Sequence, residues 1–123
     1  MTRRVLVVDD EPDIRELVVL SLLTTGWDVT TAASGEEAVR LCSGGGVDVV
    51  LLDVDMPGMD GRQTARALLA DPDTAVAVVF LTASADVEDL PGPVLPKPFD
   101  PMLLAAQVEA LVSPGAPPAA APV

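Results

Sequence analysis

Val5-Leu6-Val7-Val8-Asp9-Asp10-Glu11-Pro12 decides the fold. Four branched aliphatic residues in succession leave no polar face, so the run reads as a strand covered on both sides, the habit of parallel sheets. Two aspartates end it, and a helix opens at about Pro12. In that helix Ile14, Leu17, Val18 and Leu22 fall at offsets of 0, 3, 4 and 8, which makes one apolar stripe, and Gly26 supplies the stop.

The alternation continues along the chain. Residues 27–32 read as a second strand. Ser34 and Glu37 form a capping box that opens a second helix, with Ala38, Leu41 and Cys42 on one face and Gly44-Gly45-Gly46 ending it. Residues 47–52 read as a third strand, followed by the turn-forming Met56-Pro57-Gly58-Met59-Asp60-Gly61. The next helix carries Ala65, Leu68 and Leu69 inward and stops before Pro72. Residues 76–81 form a fourth strand and Val94-Leu95 a short fifth. Asp100-Pro101 reads as an N-cap with proline at the first helical position, and Leu104, Val108 and Leu111 stripe the last helix. Strands alternating with helices give right-handed βαβ units and an α/β fold, a doubly wound five-stranded parallel sheet.

The 123 residues suit one domain, and half of them are hydrophobic, enough for a packed core. Residues 1–112 are expected to form it. Residues 113–123, rich in Pro and Ala, read as an unpacked tail or a linker. Nineteen acidic against seven basic residues leave a formal charge of −12, which repels phosphate backbones and anionic lipid. Direct nucleic-acid and membrane binding are therefore not expected. A single cysteine, Cys42, read as a core residue, forms no internal disulfide and suits a reducing cytosol. The expectation is a cytoplasmic module.

Open parallel sheets bind ligands at the carboxyl ends of their strands. Asp9 and Asp10 follow the first strand there, Asp53 the third, Thr82 the fourth and Lys97 the fifth. Crowded carboxylates need a cation, and hard oxygen donors beside a phosphate suit Mg²⁺. A carboxylate can also attack phosphorus to form an aspartyl phosphate. The transferring group would then be stabilised by a metal at Asp10, the ammonium of Lys97 and the hydroxyl of Thr82. The competing readings are ordinary: Asp9 and Asp10 as helix caps, Asp53 as a turn residue, Thr82 as a strand-end residue and Lys97 as a solvated lysine.

Val7-Val8-Asp9-Asp10, Leu51-Leu52-Asp53 with Met56-Pro57-Gly58-Met59-Asp60-Gly61, Leu81-Thr82-Ala83 and Lys97-Pro98-Phe99 together resemble the receiver domain of bacterial two-component response regulators. The resemblance implies the strand order 2-1-3-4-5. It implies Asp53 as phosphoacceptor and Mg²⁺ bound by Asp10, Asp53 and the Asp55 backbone carbonyl, with Asp9 helping through water. Thr82 would be the switch hydroxyl, Lys97 the phosphate counterion, and Lys97-Pro98 a cis bond. The phosphodonor would be a histidine kinase, a phosphotransfer protein or a small acyl phosphate.

Two positions depart from the family pattern. Val94 stands where the family usually has an aromatic residue that moves with the threonine. Thr82 and Lys97 are only 15 positions apart, which truncates the fourth crossover helix. An apolar fourth strand without that helix is expected to leave part of one face open, on which a homodimer or an effector could dock through the fourth and fifth strands. Two other functions compete: a receiver-like interaction module not controlled by phosphorylation, and a haloacid-dehalogenase-type phosphatase, whose Asp-x-Asp loop Asp53-Val54-Asp55 resembles. Either the module stands alone, the preferred reading, or residues 113–123 lead into an output segment.

Overall fold

A computed structural model describes residues 2–112; the expected tail or linker lies outside them. In chain order the elements are β1 (Arg4–Val8), α1 (Pro12–Ser21), β2 (Asp28–Ala32), α2 (Gly35–Cys42), β3 (Val49–Asp53), α3 (Gly61–Ala70), β4 (Ala77–Thr82), β5 (Val94–Pro96) and α4 (Leu104–Val112). The sheet is parallel throughout, in the order β2-β1-β3-β4-β5. This is the expected doubly wound architecture.

Because successive strand residues face opposite sides, the apolar runs divide into two cores. Leu6, Val8, Val50, Leu52, Val78 and Phe80 pack under α2 and α3 with Ala38, Cys42, Ala65 and Leu68. Val5, Val7, Val49, Leu51, Val79 and Leu81 pack under α1 and α4 with Val18, Leu22, Leu104 and Val108. Cys42 is a core residue, as expected, and burial pushes its thiol pKa up.

Several local expectations need correction. Leu17, Leu41 and Leu69, placed inward by periodicity, are 36%, 42% and 50% exposed. They sit at the margins of their stripes and are only partly covered: Leu17 borders grooves shared with Phe99 and Met102, and Leu69 one shared with Pro91. The last helix begins at Leu104 rather than at Pro101. Residues 101–103 form a turn, in which Asp100 accepts the Met102 amide at 2.9 Å. Ser34 caps α2 by accepting the Glu37 amide, but the Glu37 carboxylate reaches back to the Ala33 amide, one residue beyond the Ser34 amide that would close the box. The closed capping box lies at α3, between Asp60 and Gln63. After Ser21 the chain adds a 3-10 turn, Leu23–Thr25, before Gly26 stops it in the left-handed conformation at φ 78°.

The truncated crossover is present: residues 83–93 contain no helix. The expected open face is not. Val78, Val79, Phe80 and Leu81 are all buried. Leu90 and Val94 pack against the core on the side of Phe80, and a Cβ on Gly92 would stand 2.8 Å from the Val78 carbonyl oxygen. A backbone lying that close covers the strand without a helix.

Candidate functional site

The strand order brings the carboxyl ends of β1, β3, β4 and β5 to one edge. Asp9 follows Val8 and is fully buried, while Asp10 is exposed. Asp53 ends β3 at 3% exposure and pairs in register with Leu81, one residue before Thr82. Thr82 pairs with Pro96, immediately before Lys97. The Lys97-Pro98 bond is cis.

Carboxylate oxygens of Asp9, Asp10 and Asp53 lie within 4.8 Å of one another. Lys97 Nζ donates to Asp9 Oδ2 at 2.9 Å and to Asp53 Oδ1 at 3.3 Å. The Asp55 amide also donates to Asp53 Oδ1, at 3.2 Å. Both donors therefore meet one oxygen, and Oδ2 of Asp53 takes no protein donor among the described residues. Thr82, nearly buried, accepts the Ser84 amide on its Oγ1 at 2.9 Å. Asp55 is exposed and enters the site through its amide.

Electrostatically the pocket holds more negative charge than its lysine offsets. Burial, and next the nearby Asp9, push the Asp53 carboxyl up to about 6 despite the attraction of Lys97. Burial pulls Lys97 down, but its hydrogen bond to Asp9 and the charge of Asp53 outweigh that and hold the ammonium above its ordinary value. A small divalent cation fits such a donor set. Octahedral Mg²⁺ with oxygens at about 2.1 Å gathers its ligands within about 4.2 Å of each other, close to the spacing seen here.

With these side chains gathered at one sheet edge, the family profile agrees: the response regulator receiver domain profile matches residues 5–109. The chain belongs to the response-regulator receiver family. This receiver is 36% identical over 117 residues to the DNA-binding response regulator MtrA of Mycolicibacterium smegmatis, covering 89% of the chain and 50% of MtrA. It thus spans about half the length of the curated relatives it matches. Among solved structures, the response regulator TrrA of Thermotoga maritima in complex with Mg²⁺-BeF superposes with a TM-score of 0.80 at 35% identity, covering 89% of this chain and 99% of that one. A structure of the histidine kinase ThkA in complex with TrrA matches with a TM-score of 0.79 at 36% identity, over 91% of this chain and 100% of that one. Among the described residues, no helix of the receiver is long and apolar enough to cross a membrane.

Two contributors to the site escaped the sequence reading. Arg15, on the helix that opens after the aspartate pair, donates through Nη1 to the Asp9 carbonyl oxygen at 2.7 Å and braces the turn that carries both acids. Gly61, the first residue of α3, packs against the main chain of Asp53 and Val54 and donates its amide to the Val54 carbonyl at 2.9 Å. A cation one turn into the first helix and a glycine directly after a helix cap were the available signals.

Proposed function

We propose that this receiver is a phosphorylation-dependent switch of a cytoplasmic two-component system, in which Asp53 accepts a phosphoryl group from a histidine kinase or a phosphotransfer protein. The observation that carries the reading is the Asp53 carboxylate, buried beside Asp9 and Asp10, with Lys97 bonded to its Oδ1 and its Oδ2 free to attack. TrrA, solved with Mg²⁺-BeF and in complex with a histidine kinase, supports the same class of ligand and partner here.

Asp10, Asp53 and the Asp55 carbonyl would hold Mg²⁺, with Asp9 acting through water, and the ion would neutralise charge on the transferring phosphoryl group. Asp53 Oδ2 forms the new bond to phosphorus as the bond from phosphorus to the donor's imidazole nitrogen breaks, and the imidazole leaves with the electron pair. Lys97 holds the carboxylate in place and meets the phosphoryl oxygens with its ammonium. Thr82 turns its hydroxyl toward the same oxygens and donates its proton to them, and because its Oγ1 also accepts the Ser84 amide, that movement draws on the chain after Thr82. The domain catalyses this step and the later hydrolysis on itself and has no separate substrate.

The phosphatase alternative loses its ground, because the Asp53-Val54-Asp55 loop follows β3 in a receiver sheet. The non-phosphorylated module rests on Val94 and on the missing fourth helix, but the gathering of the acids and Lys97 favours acceptor chemistry. A homodimer or effector on the β4–β5 side would meet the covering segment, with Leu69 and Pro91 at its groove, instead of bare sheet. Incubation with acetyl phosphate and Mg²⁺, followed by mass spectrometry, tests the proposal. A phosphoryl adduct that disappears in Asp53→Asn is expected; a wild-type protein that gains no such mass would defeat it.

A further inference from the structure

The segment that replaces a crossover helix, residues 84–90, has little internal structure to hold it. Its local bonds are Asp86 amide to Ser84 Oγ at 3.0 Å, Val87 amide to the Ala85 carbonyl at 3.1 Å and Leu90 amide to the Val87 carbonyl at 3.2 Å. Among the described residues, two side chains from outside hydrogen-bond to it: Thr82, whose Oγ1 accepts the Ser84 amide at its start, and Arg62, the second residue of α3, which holds its far part. Its Nε donates to Asp89 Oδ2 and its Nη2 to Asp89 Oδ1, both at 2.9 Å, and Nη2 also reaches the Asp86 carbonyl at 2.9 Å. An exposed ion pair alone contributes little. A planar guanidinium that grips both carboxylate oxygens and a main-chain carbonyl also fixes geometry, which a point charge does not.

Both ends of this tether reach the switch. At one end Arg62 follows Gly61, whose Cα lies against the Asp53 carbonyl, so the guanidinium is anchored to the acceptor loop. At the other end the segment begins at Ser84, whose amide occupies the Thr82 hydroxyl oxygen. Val94 carries no ring that could follow Thr82 inward. Movement of Thr82 must therefore be passed on through the main chain of residues 83–90, against the grip of Arg62.

We propose that Arg62 is a positioning residue of the switch: it latches residues 84–90 in the arrangement in which the Ser84 amide holds Thr82, so that the phosphorylated state forms at the expense of this latch. The inference rests on the phosphorylation reading above. By linkage, a contact that favours the unmodified state weakens binding of anything that favours the modified one, and removing it strengthens that binding by the same factor.

The test uses the full chain and Mg²⁺-beryllofluoride as the phosphoryl mimic. Amide hydrogen exchange of residues 84–90 and the mimic's apparent affinity by NMR titration are measured for wild type, Arg62→Gln, Arg62→Lys, Asp89→Asn and the Arg62→Gln/Asp89→Asn pair. Each single change is expected to speed exchange in the segment by about tenfold and to tighten mimic binding by about fivefold or more. The double variant should do no more than either single one, and Arg62→Lys, which keeps charge but loses the fork, should follow Arg62→Gln. Mimic affinity unchanged in both Arg62→Gln and Asp89→Asn, while wild type binds it normally, overturns the latch alone. A wild type that does not respond to the mimic overturns the phosphorylation reading and the latch together.

Discussion

An ideal Cβ on Gly61 would stand 2.3 Å from the carbonyl oxygen of Asp53. No side chain tolerates that approach, so α3 can press its first turn against the acceptor loop only with glycine there. The helix start and the acceptor are thus one packed unit, joined also by the Gly61 amide to the Val54 carbonyl.

Gly61→Ala is expected to cost about 1–3 kcal/mol by overpacking and to slow acetyl-phosphate labelling by displacing Asp53. Gly44→Ala, with nothing within 4 Å of the added carbon, should change stability by less than about 0.5 kcal/mol. Urea denaturation and mass spectrometry read both. Equal behaviour of the two variants would refute the packing claim.

Stability without divalent ions should depend on pH through Asp53. Its carboxyl is raised from the ordinary value to about 6, burial being the first cause and Asp9 the second. The folded protein therefore holds this proton after the unfolded chain has released it. The contribution is fully present below the unfolded value and is lost as pH rises through about 6. In EDTA, Asp53→Asn should gain stability relative to wild type between about pH 4 and pH 7, and millimolar Mg²⁺ should restore wild type near neutrality. A difference between the two proteins that stays flat across that window would contradict the assignment.

Lys97→Ala removes the partner of a fully buried carboxylate, since Asp9 Oδ2 receives the ammonium at 2.9 Å. Breaking such a pair is expected to cost on the order of 3 kcal/mol, the low end for buried ion pairs because the lysine is partly exposed. Loss of the cation at the reacting oxygens should slow phosphoryl transfer by about 10²-fold. Calorimetry and labelling kinetics measure the two effects separately. A variant as stable as wild type would mean that the lysine is solvated and not paired.

Leu68 and Leu69 are neighbours in sequence with opposite fates, 2% and 50% exposed. Leu68→Ala should cost about 2–5 kcal/mol by leaving a cavity, and Leu69→Ala less than about 0.5 kcal/mol. Thermal denaturation of the two variants distinguishes them; similar losses would place both leucines in the core.

That pair also marks how far the sequence could be read. The parallel sheet and the gathering of Asp9, Asp10, Asp53 and Lys97 followed from apolar runs ending in chemically distinctive residues, each signal being local, whereas the strand order and the cis Lys97-Pro98 bond came only with the family resemblance those motifs carry. Helical periodicity set the direction of each stripe but not its width, which depends on what lies across from it; hence Leu17, Leu41 and Leu69 were misplaced. Ser34 and Asp60 both offer a cap with Glu or Gln three residues on, and only the backbone entering each helix decides which box closes. The cover over β4 was illegible for a related reason. It depends on Gly92 letting main chain lie on Phe80, and on Arg62 finding Asp89 across 27 positions, neither of which leaves a periodic trace.

β3 is buried along its whole length and flanked by strands on both sides, whereas β5 is a three-residue strand at the rim. The proposed phosphoacceptor, Asp53, is therefore set in the interior of the sheet, away from its short outer strand. Pruning at the rim, such as the missing crossover helix, reshapes the outer surface and leaves Asp9, Asp10, Asp53 and Lys97 gathered at the sheet edge.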